Sequence, residues 1–259
     1  MKLYKAYAKV NIFLKITGTR GNYHEIISRF VLVKSLYDEL CFEVKSSDEF
    51  KIIGDFSCTT EQNTIYKAYK ALLNYTKSAS LENLMKKYAI KVSKNIPAFA
   101  GLGGGSSDAA TYLKMCNDSL DLGLSLNELA KLGLEVGADV PFFIYGYKSA
   151  NVSGIGEIVQ EFEEESLAYE VFTPKVEIST PQVYKSYREN FFNPISDLVV
   201  NELKQKRSIE ILQTMDADEA NDLFKPAFLE YSELKKHYKY GYFFSGSGSS
   251  FFKINEDEK

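Results

Sequence analysis

The chain has 259 residues, 45% apolar and 25% charged, which fits a globular protein with room for one large domain or two modest ones. Its 31 basic and 35 acidic residues leave a net charge of −4, so bulk charge gives no footprint for nucleic acid. No apolar stretch reaches membrane-span length and no signal-peptide run follows Lys2, Lys5 and Lys9, so the cytoplasm is the expected compartment. Cys41, Cys58 and Cys116 lie far apart with no Cys-x-x-Cys, which argues against a disulfide scaffold or a zinc site and reads as buried thiols. With only His24 and His237, a histidine-rich metal site is improbable.

From Lys9 to Ile16 the residues alternate, with Val10, Ile12, Leu14 and Ile16 on one face and Lys9, Asn11, Phe13 and Lys15 on the other. This period of two predicts a strand. Taken alone, Lys9 reads as a solvated side chain. Residues 18–22 read as a turn, and Tyr23-His24 as an aromatic pair over it. Strand-like stretches follow over 26–40 and 40–53. The spacing of Ile65, Ala68, Tyr69, Leu72 and Leu73 predicts a helix over 63–75, with Asn63 as its candidate cap. A helix over 80–88 and a strand over 89–93 lead into the densest signal in the chain.

That signal is the run from Asn95 to Ala110, in which four of the five residues from Gly101 to Gly105 are glycine. Ala109, Ala110, Leu113, Cys116 and Leu120 predict a helix over 109–120, with Ser106, Ser107 and Asp108 as candidate caps. Glycines admit φ > 0 and let a ligand approach the backbone, and the following helix start offers unpaired N–H groups and its positive dipole end. Together they suit an anion of phosphate size. A plain flexible turn is the alternative, weakened by the helix that begins at once. The loop is not of Walker type, since the chain has no Gly-Lys pair. Nor is it a dinucleotide fingerprint, since Ser106 stands at the sixth position, and His-Arg-Asp and Asp-Phe-Gly are both missing.

Ser125-Leu126-Asn127-Glu128 has capping-box form and predicts a helix ending near Gly137. Pro141 pushes Val140 towards an extended backbone, which would set Asp139 at a helix-to-strand junction. The acidic run 161–165 reads as a solvated turn near a domain boundary. Strand-like stretches at 169–172 and 175–179 precede Thr180-Pro181-Gln182-Val183-Tyr184. Short helices are expected over 196–204 and 209–215, then a longer one from Asn221 towards His237. The chain closes on two aromatic strands around a Gly/Ser turn.

The pattern Pro97-x-x-x-Gly101-Leu102-Gly103-Gly104-Gly105-Ser106-Ser107-Asp108 resembles the second motif of the GHMP small-molecule kinases, which hold ATP phosphates on such a loop. Lys9-x-Asn11-Ile12-Phe13-Leu14-x-Ile16-x-Gly18-x-Arg20-x-x-Tyr23-His24 resembles the first motif of one branch of that family, with a shorter segment between Arg20 and Tyr23. Gly137-Ala138-Asp139-Val140-Pro141-Phe142-Phe143 is similar to the catalytic-aspartate segment, and Tyr242-Phe243-Phe244-Ser245-Gly246-Ser247-Gly248-Ser249-Ser250-Phe251-Phe252-Lys253-Ile254 to the third motif. The motifs stand in the family's order and span nearly the whole chain. The resemblance implies an α+β, two-domain GHMP kinase fold with the active site in the cleft between the domains. A ribosomal-protein-S5-domain-2-like, ATP-binding N-terminal domain would cover 1–152, and a ferredoxin-like C-terminal domain 153–259.

The same resemblance implies the chemistry. ATP phosphates would lie on Pro97 and the loop Gly101, Leu102, Gly103, Gly104, Gly105, Ser106, Ser107 and Asp108, with the adenine near Asn63. Lys9 and Asn11 would line the reaction centre, and Asp139 would take the proton of the accepting hydroxyl. A neighbouring Lys9 would keep that carboxylate ionised. Tyr23 and His24 would hold a cytosine, with Tyr184, just after Thr180-Pro181, stacking from the opposite side. Ser245 and Gly246 would face nucleotide and substrate. Mg²⁺ would accompany ATP, with Ser106, Ser107 or Asp108 within reach and no dedicated ligand assigned. The branch phosphorylates the 2-hydroxyl of a cytidine diphosphate-linked methylerythritol, in the non-mevalonate route to isoprenoids. Neither nucleic acid nor membrane is an expected partner, and the expected assembly is a monomer or weak homodimer. One alternative is another GHMP kinase, of mevalonate or homoserine type, against which Tyr23-His24 speaks. Another is a nucleotide-binding module without catalysis, against which the joint presence of Lys9 and Asp139 speaks.

Overall fold

The computed structural model describes residues Lys2–Asn255 and is α+β. The chain divides into two compact units. The first takes residues up to Ala8, Ser35–Ile96 and Gly103–Gly146; the second takes Lys9–Lys34, Pro97–Leu102 and the chain from Tyr147 on. Two long strands, β1 (Tyr4–Arg20) and β2 (Tyr23–Val44), contribute residues to both units. The turn between them is reduced to Gly21-Asn22, because β1 continues through residues 18–20. The two strand-like stretches expected over 26–53 are largely one strand, β2, followed by a two-residue β3 (Ile52–Ile53).

In the first unit, β2 pairs antiparallel with β4 (Tyr88–Ser93) from Glu39↔Ser93 to Val44↔Tyr88, and β3 pairs parallel with β4. Around them lie α1 (Thr64–Thr76), α2 (Ala79–Lys87), α3 (Gly104–Leu120), α4 (Leu126–Val136) and α5 (Val140–Tyr145). α1 and α5 pack against α3, whose Ala109, Ala110, Leu113 and Cys116 are all buried. Each fully buried aliphatic side chain of such a core contributes ~1.5–3 kcal/mol. The capping box at Ser125 and Glu128 forms as expected, and α4 stops at Gly137. Val140 is helical, not extended, so the expected helix-to-strand junction is instead a helix-to-helix one. Pro141 falls in the first turn of α5, where its missing N–H has no intrahelical partner to lose.

In the second unit, β2 pairs antiparallel with β5 (Ser149–Gly154) from Ile26↔Gly154 to Val31↔Ser149, and β5 pairs with β6 (Ile158–Glu161). A second sheet has the order β7 (Tyr169–Phe172), β9 (Phe251–Ile254), β8 (Phe243–Phe244). Helices α6 (Thr180–Asn190), α7 (Asp197–Gln205), α8 (Ser208–Thr214), α9 (Ala217–Ala220) and α10 (Phe224–Glu230), with a 3-10 helix over Ser232–Lys236, complete the unit. Its core joins Leu14 and Ile16 to Val183, Leu223, Phe244 and Phe251.

Several local expectations are corrected here. Residues 175–179 form no strand; Pro174 removes a ladder donor at their start. The helix expected from Asn221 begins at Phe224 and ends at Glu230, because Asn221 is extended (φ −133, ψ 110) and its side chain bonds Leu223 N–H at 2.9 Å. Cys41 and Cys116 are buried thiols as expected, but Cys58 is exposed. The side chain of Glu164, within the acidic run, is 6% exposed and therefore not solvated. It accepts from the Ser208 amide at 2.7 Å and from the Ser149 and Ser208 hydroxyls at 2.6 Å. It also lies 3.7 Å from the fully buried guanidinium of Arg29. Arg29 donates to Asn151 and to the carbonyls of Leu203, Lys204 and Lys206, the end of α7 whose orphan acceptors it satisfies. Burial pulls its pKa down to about 10, so it stays charged at neutrality.

Among the described residues no helix is long and apolar enough to cross a membrane.

Candidate functional site

β1 delivers Lys9 and Asn11 from the same face, and that face is buried: Lys9 is 3% exposed and Asn11 2%. The solvated reading of Lys9 is therefore wrong. Lys9 Nζ donates to Asn11 Oδ1 at 2.7 Å and to the Gly101 carbonyl at 2.9 Å, and sits 4.6 Å over the Phe30 ring. Asn11 is oriented in turn by donating to Ser28 Oγ at 2.9 Å. A buried ammonium is tolerated only with such partners. The geometry leaves a positive charge at the mouth of the glycine loop.

Gly101 is required by its surroundings. It holds φ +73, and a Cβ there would fall 2.0 Å from the Ser245 carbonyl oxygen. Ser245 Oγ donates to the Gly101 carbonyl at 3.0 Å, and Ser250 N–H donates to the Ala100 carbonyl at 3.1 Å. Gly246 lies close as well; a Cβ on it would meet Asn11 Oδ1 at 3.4 Å. Lys9, Asn11, Gly101, Ser245 and Gly246, predicted from three separate motifs, thus converge. Thr180 Oγ1 and Ser247 Oγ share a hydrogen bond of 2.7 Å, which ties the start of α6 to the same Gly/Ser loop; Pro181 sits in the first turn of that helix. Leu102 is buried, and its carbonyl accepts from Lys9 N–H at 3.0 Å.

His24 and Tyr184 also meet, with ring centroids 5.1 Å apart and planes tilted by 31°. Tyr187 packs edge-on against His24 from another side at 5.8 Å. His24 Nε2 is buried and has no hydrogen-bond partner in the structure. Burial, and after it the positive charge of Arg188, hold the His24 pKa below the ordinary imidazole value. A neutral, unpartnered ring nitrogen beside an aromatic face suits a planar heterocycle with complementary hydrogen-bonding groups. Tyr23 stays exposed.

In the first unit, α3 starts earlier than expected. Gly103, at φ +71, is its N-cap residue, and Gly104, Gly105, Ser106, Ser107 and Asp108 form its first turns. None of the three polar residues caps it, and the helix start carries no side-chain capping bond. The first N–H groups of this 17-residue helix thus have no side-chain cap, the condition under which a helix start can meet an anion. Thr64 Oγ1 donates to the Gly105 carbonyl at 2.6 Å. Asn63 caps α1 through its Oδ1, accepting from Ile65 N–H at 2.9 Å. Pro97 belongs to the second unit and leads the loop in.

Beneath this helix start lies a buried charge cluster that the sequence analysis missed. Lys94 Nζ donates to Asp108 Oδ2 at 2.7 Å and also to Asp38 Oδ2. Asp38 Oδ1 accepts from the amides of Asn95 and Ile96 at 2.5 and 2.8 Å. Burial pushes Asp108 up to about 7 against the attraction of Lys94. Burial also pulls Lys94 down, but the Asp108 and Asp38 carboxylates outweigh it and leave Lys94 raised. The cluster joins the entry of the glycine loop to the first turns of α3.

Asp139 immediately precedes α5 at φ −81, ψ −14 and makes no capping bond there. Its segment runs beside α3: a Cβ on Gly137 would stand 3.7 Å from Ser106 Oγ. An uncapped helix start backed by glycines fits the phosphates of a nucleotide. For a metal, the described residues contain no group of three or more His, Cys, Asp or Glu side chains set to hold one.

Comparison with known proteins finds relatives along the whole chain. A family model described as GHMP kinases N terminal domain matches residues 63–147. A 4-diphosphocytidyl-2-C-methyl-D-erythritol kinase of Sulfurimonas denitrificans is 70% identical over 100% of this chain and 98% of its own. One from Campylobacter jejuni subsp. doylei is 43% identical over 97% of this chain and 99% of its own. A crystal structure of 4-(cytidine 5'-diphospho)-2C-methyl-D-erythritol kinase superposes with a TM-score of 0.72 at 29% identity, covering 98% of this chain and 90% of that one.

Proposed function

The chain belongs to the 4-diphosphocytidyl-2-C-methyl-D-erythritol kinases of the GHMP family, and from that premise we propose how its residues carry the reaction. The enzyme moves the γ-phosphoryl group of ATP to the 2-hydroxyl of 4-diphosphocytidyl-2-C-methyl-D-erythritol. The observation that carries this reading is the buried Lys9, fixed by Asn11 and the Gly101 carbonyl at the mouth of the glycine loop. A bond forms between the 2-oxygen and the γ-phosphorus, the bond from that phosphorus to the β,γ-bridging oxygen breaks, and ADP leaves. Asp139 accepts the hydroxyl proton, help typically worth ~10²–10⁴ in rate. Lys9 offsets the charge spreading over the moving phosphoryl group.

The free N–H groups at the start of α3 bind the ATP phosphates, with Gly101 to Gly105, Ser106 and Ser107 forming the cradle. Asp108 acts behind it through Lys94. Asn63, whose Oδ1 is spent on its helix, turns its amide NH₂ towards the adenine. Mg²⁺ would be held by the phosphates with the Ser106 hydroxyl nearby, and supplies charge neutralisation when bound. His24 and Tyr184 receive the cytosine, Tyr23 covers it from the exposed side, and Thr180, Pro181, Ser245 and Gly246 shape the acceptor pocket. Along the sequence we assign 1–152, which contain the family-model match, to the ATP-binding domain and 153–259 to the C-terminal domain, while the compact units interleave: Lys9–Lys34 and Pro97–Leu102 pack with the chain from Tyr147 on. The unpaired thiols support the cytoplasm as its place of action, as a monomer or weak homodimer.

The direct test is transfer from Mg·ATP to the cytidylyl acceptor, followed by ADP release and phosphorus NMR of the product. A new monoester signal matched by ADP supports the reading; ADP release only with mevalonate, homoserine or a sugar overturns the cytosine assignment. Two further expectations concern the acceptor pocket. Tyr184→Ala should raise the acceptor KM about tenfold at nearly constant kcat, as expected for the loss of one base-stacking contact of about 1–3 kcal/mol; an unchanged KM would show that another residue stacks. The acceptor KM should also rise as pH falls through the lowered His24 pKa, because protonation removes the ring's acceptor. Initial rates between pH 5 and 8 check this, and a KM that stays flat would remove His24 from base recognition.

A further inference from the structure

Asn221 is distant from every motif residue in sequence except those of the closing loop, yet its side chain is spent on that loop. It is 2% exposed. Its Nδ2 donates to the Phe244 carbonyl at 2.9 Å and to the Gly246 carbonyl at 2.8 Å. Both amide protons therefore fix the loop, one on the peptide group between Phe244 and Ser245 and one on that between Gly246 and Ser247. Ser245 Oγ in turn donates to the Gly101 carbonyl at 3.0 Å, the same oxygen that accepts from Lys9 Nζ at 2.9 Å.

The next residue ties the same segment to the strand that carries Lys9. Asp222 N–H donates to the Leu14 carbonyl at 2.9 Å, and the Asp222 carboxylate accepts from Ile16 N–H at 2.7 Å and from Lys15 Nζ. Asn221 thus stands between β1 and the Gly/Ser loop, with one end of the connection in each. The chemistry of the position is specific. It must donate twice to backbone carbonyls and accept once from Leu223 N–H, which only a short carboxamide does. A carboxylate would face two carbonyl oxygens, and an apolar side chain would leave three buried backbone groups without a partner.

We propose that Asn221 is a positioning residue for phosphoryl transfer: it fixes the Ser245–Gly246 loop, and through the Gly101 carbonyl it fixes where the Lys9 ammonium stands. This rests on the reading of Lys9 as the cation acting on the transferred group. Displacing a reacting group by about 1 Å costs on the order of 10²-fold in rate, so a small slackening of this path is felt in turnover before it is felt in binding.

The test compares Asn221→Ala, Ser245→Ala, the double variant and Lys9→Ala by steady-state kinetics with both substrates, alongside thermal unfolding. Asn221→Ala is expected to lower kcat about 10- to 100-fold while both KM values stay within about threefold. The double variant is expected to lose less than the product of the single losses, because both substitutions cut one path. Unchanged kcat in Asn221→Ala, or losses that multiply in full, would overturn the proposal. Should Asn221→Ala not fold, Ser245→Ala decides alone, since it cuts the path at its last link, and wild-type kcat there overturns it equally. Lys9→Ala separates the two readings: if it keeps turnover, the role of Lys9 falls; if it loses turnover while Asn221→Ala does not, only the positioning role falls.

Discussion

Asp139→Asn is expected to lower kcat by about 10²–10⁴ while leaving ATP affinity within a few-fold of the parent. The amide keeps the size and most hydrogen-bonding geometry of the carboxylate but cannot take the proton of the accepting hydroxyl. Asp139 makes no capping bond at the start of α5, and the neighbouring Val140 and Phe142 are held by burial. An unchanged unfolding midpoint beside a collapsed kcat would therefore localise the defect to chemistry. ATP affinity should survive because the proposed phosphate contacts belong to the loop and the first turns of α3. Initial rates combined with calorimetric titration of ATP check this. Turnover near that of the parent would remove Asp139 as the base.

Lys94→Met is expected to destabilise the fold by about 3–5 kcal/mol, the usual cost of removing one partner from a buried ion pair. Asp108 and Asp38 are both buried, and Lys94 is the cation that both carboxylates meet. The pH dependence distinguishes this from loss of packing. Burial already raises Asp108 to about 7, so the folded state binds a proton that the unfolded chain has given up above about pH 4. Its contribution therefore favours folding at low pH, declines as pH rises from about 4 to 7, and is level above that. Without Lys94 the carboxyl is pushed higher still, and the decline extends past pH 7. The difference in unfolding free energy between parent and variant should then be largest above neutrality and shrink towards pH 4. Urea unfolding at several pH values measures it. A penalty that stays constant with pH would show that Lys94 acts through packing alone. The apparent ATP KM should rise in the same variant, since the loop entry and α3 lose their common tie.

The elements most legible in the sequence were those whose signal is local. The capping box at Ser125 and Glu128, the stripe of α1 and the alternation of β1 each depend on residues within a few positions of one another, and each formed where expected. The misplacements have equally local reasons. Pro141 disfavours a helical Val140 in the abstract, but a helix accepts proline in its first turn. Asn221 opens no helix because its carboxamide bonds backbone instead. α3 starts at Gly104, five residues before the apolar pattern becomes visible at Ala109, since glycine carries no side-chain periodicity to read.

The sequence by itself determined the kind of chemistry: a glycine loop running into a helix, a lysine and an asparagine two apart on a strand, and an aspartate two residues before a proline. Residue types and short spacings suffice for that, because they specify which groups can bind phosphate, carry charge or take a proton. Tertiary structure alone decided what those groups are. The alternation of β1 gives Lys9 and Asn11 a common face but not its burial; only the approach of Gly101 and Phe30 makes the lysine a fixed interior cation. Nothing in the spacing of Asp38, Lys94 and Asp108 announces a cluster, and nothing near Asn221 points to a loop more than twenty residues on. Such contacts join segments far apart in the chain, and burial then converts them from weak surface interactions into ones whose loss leaves a charge or a carbonyl without a partner.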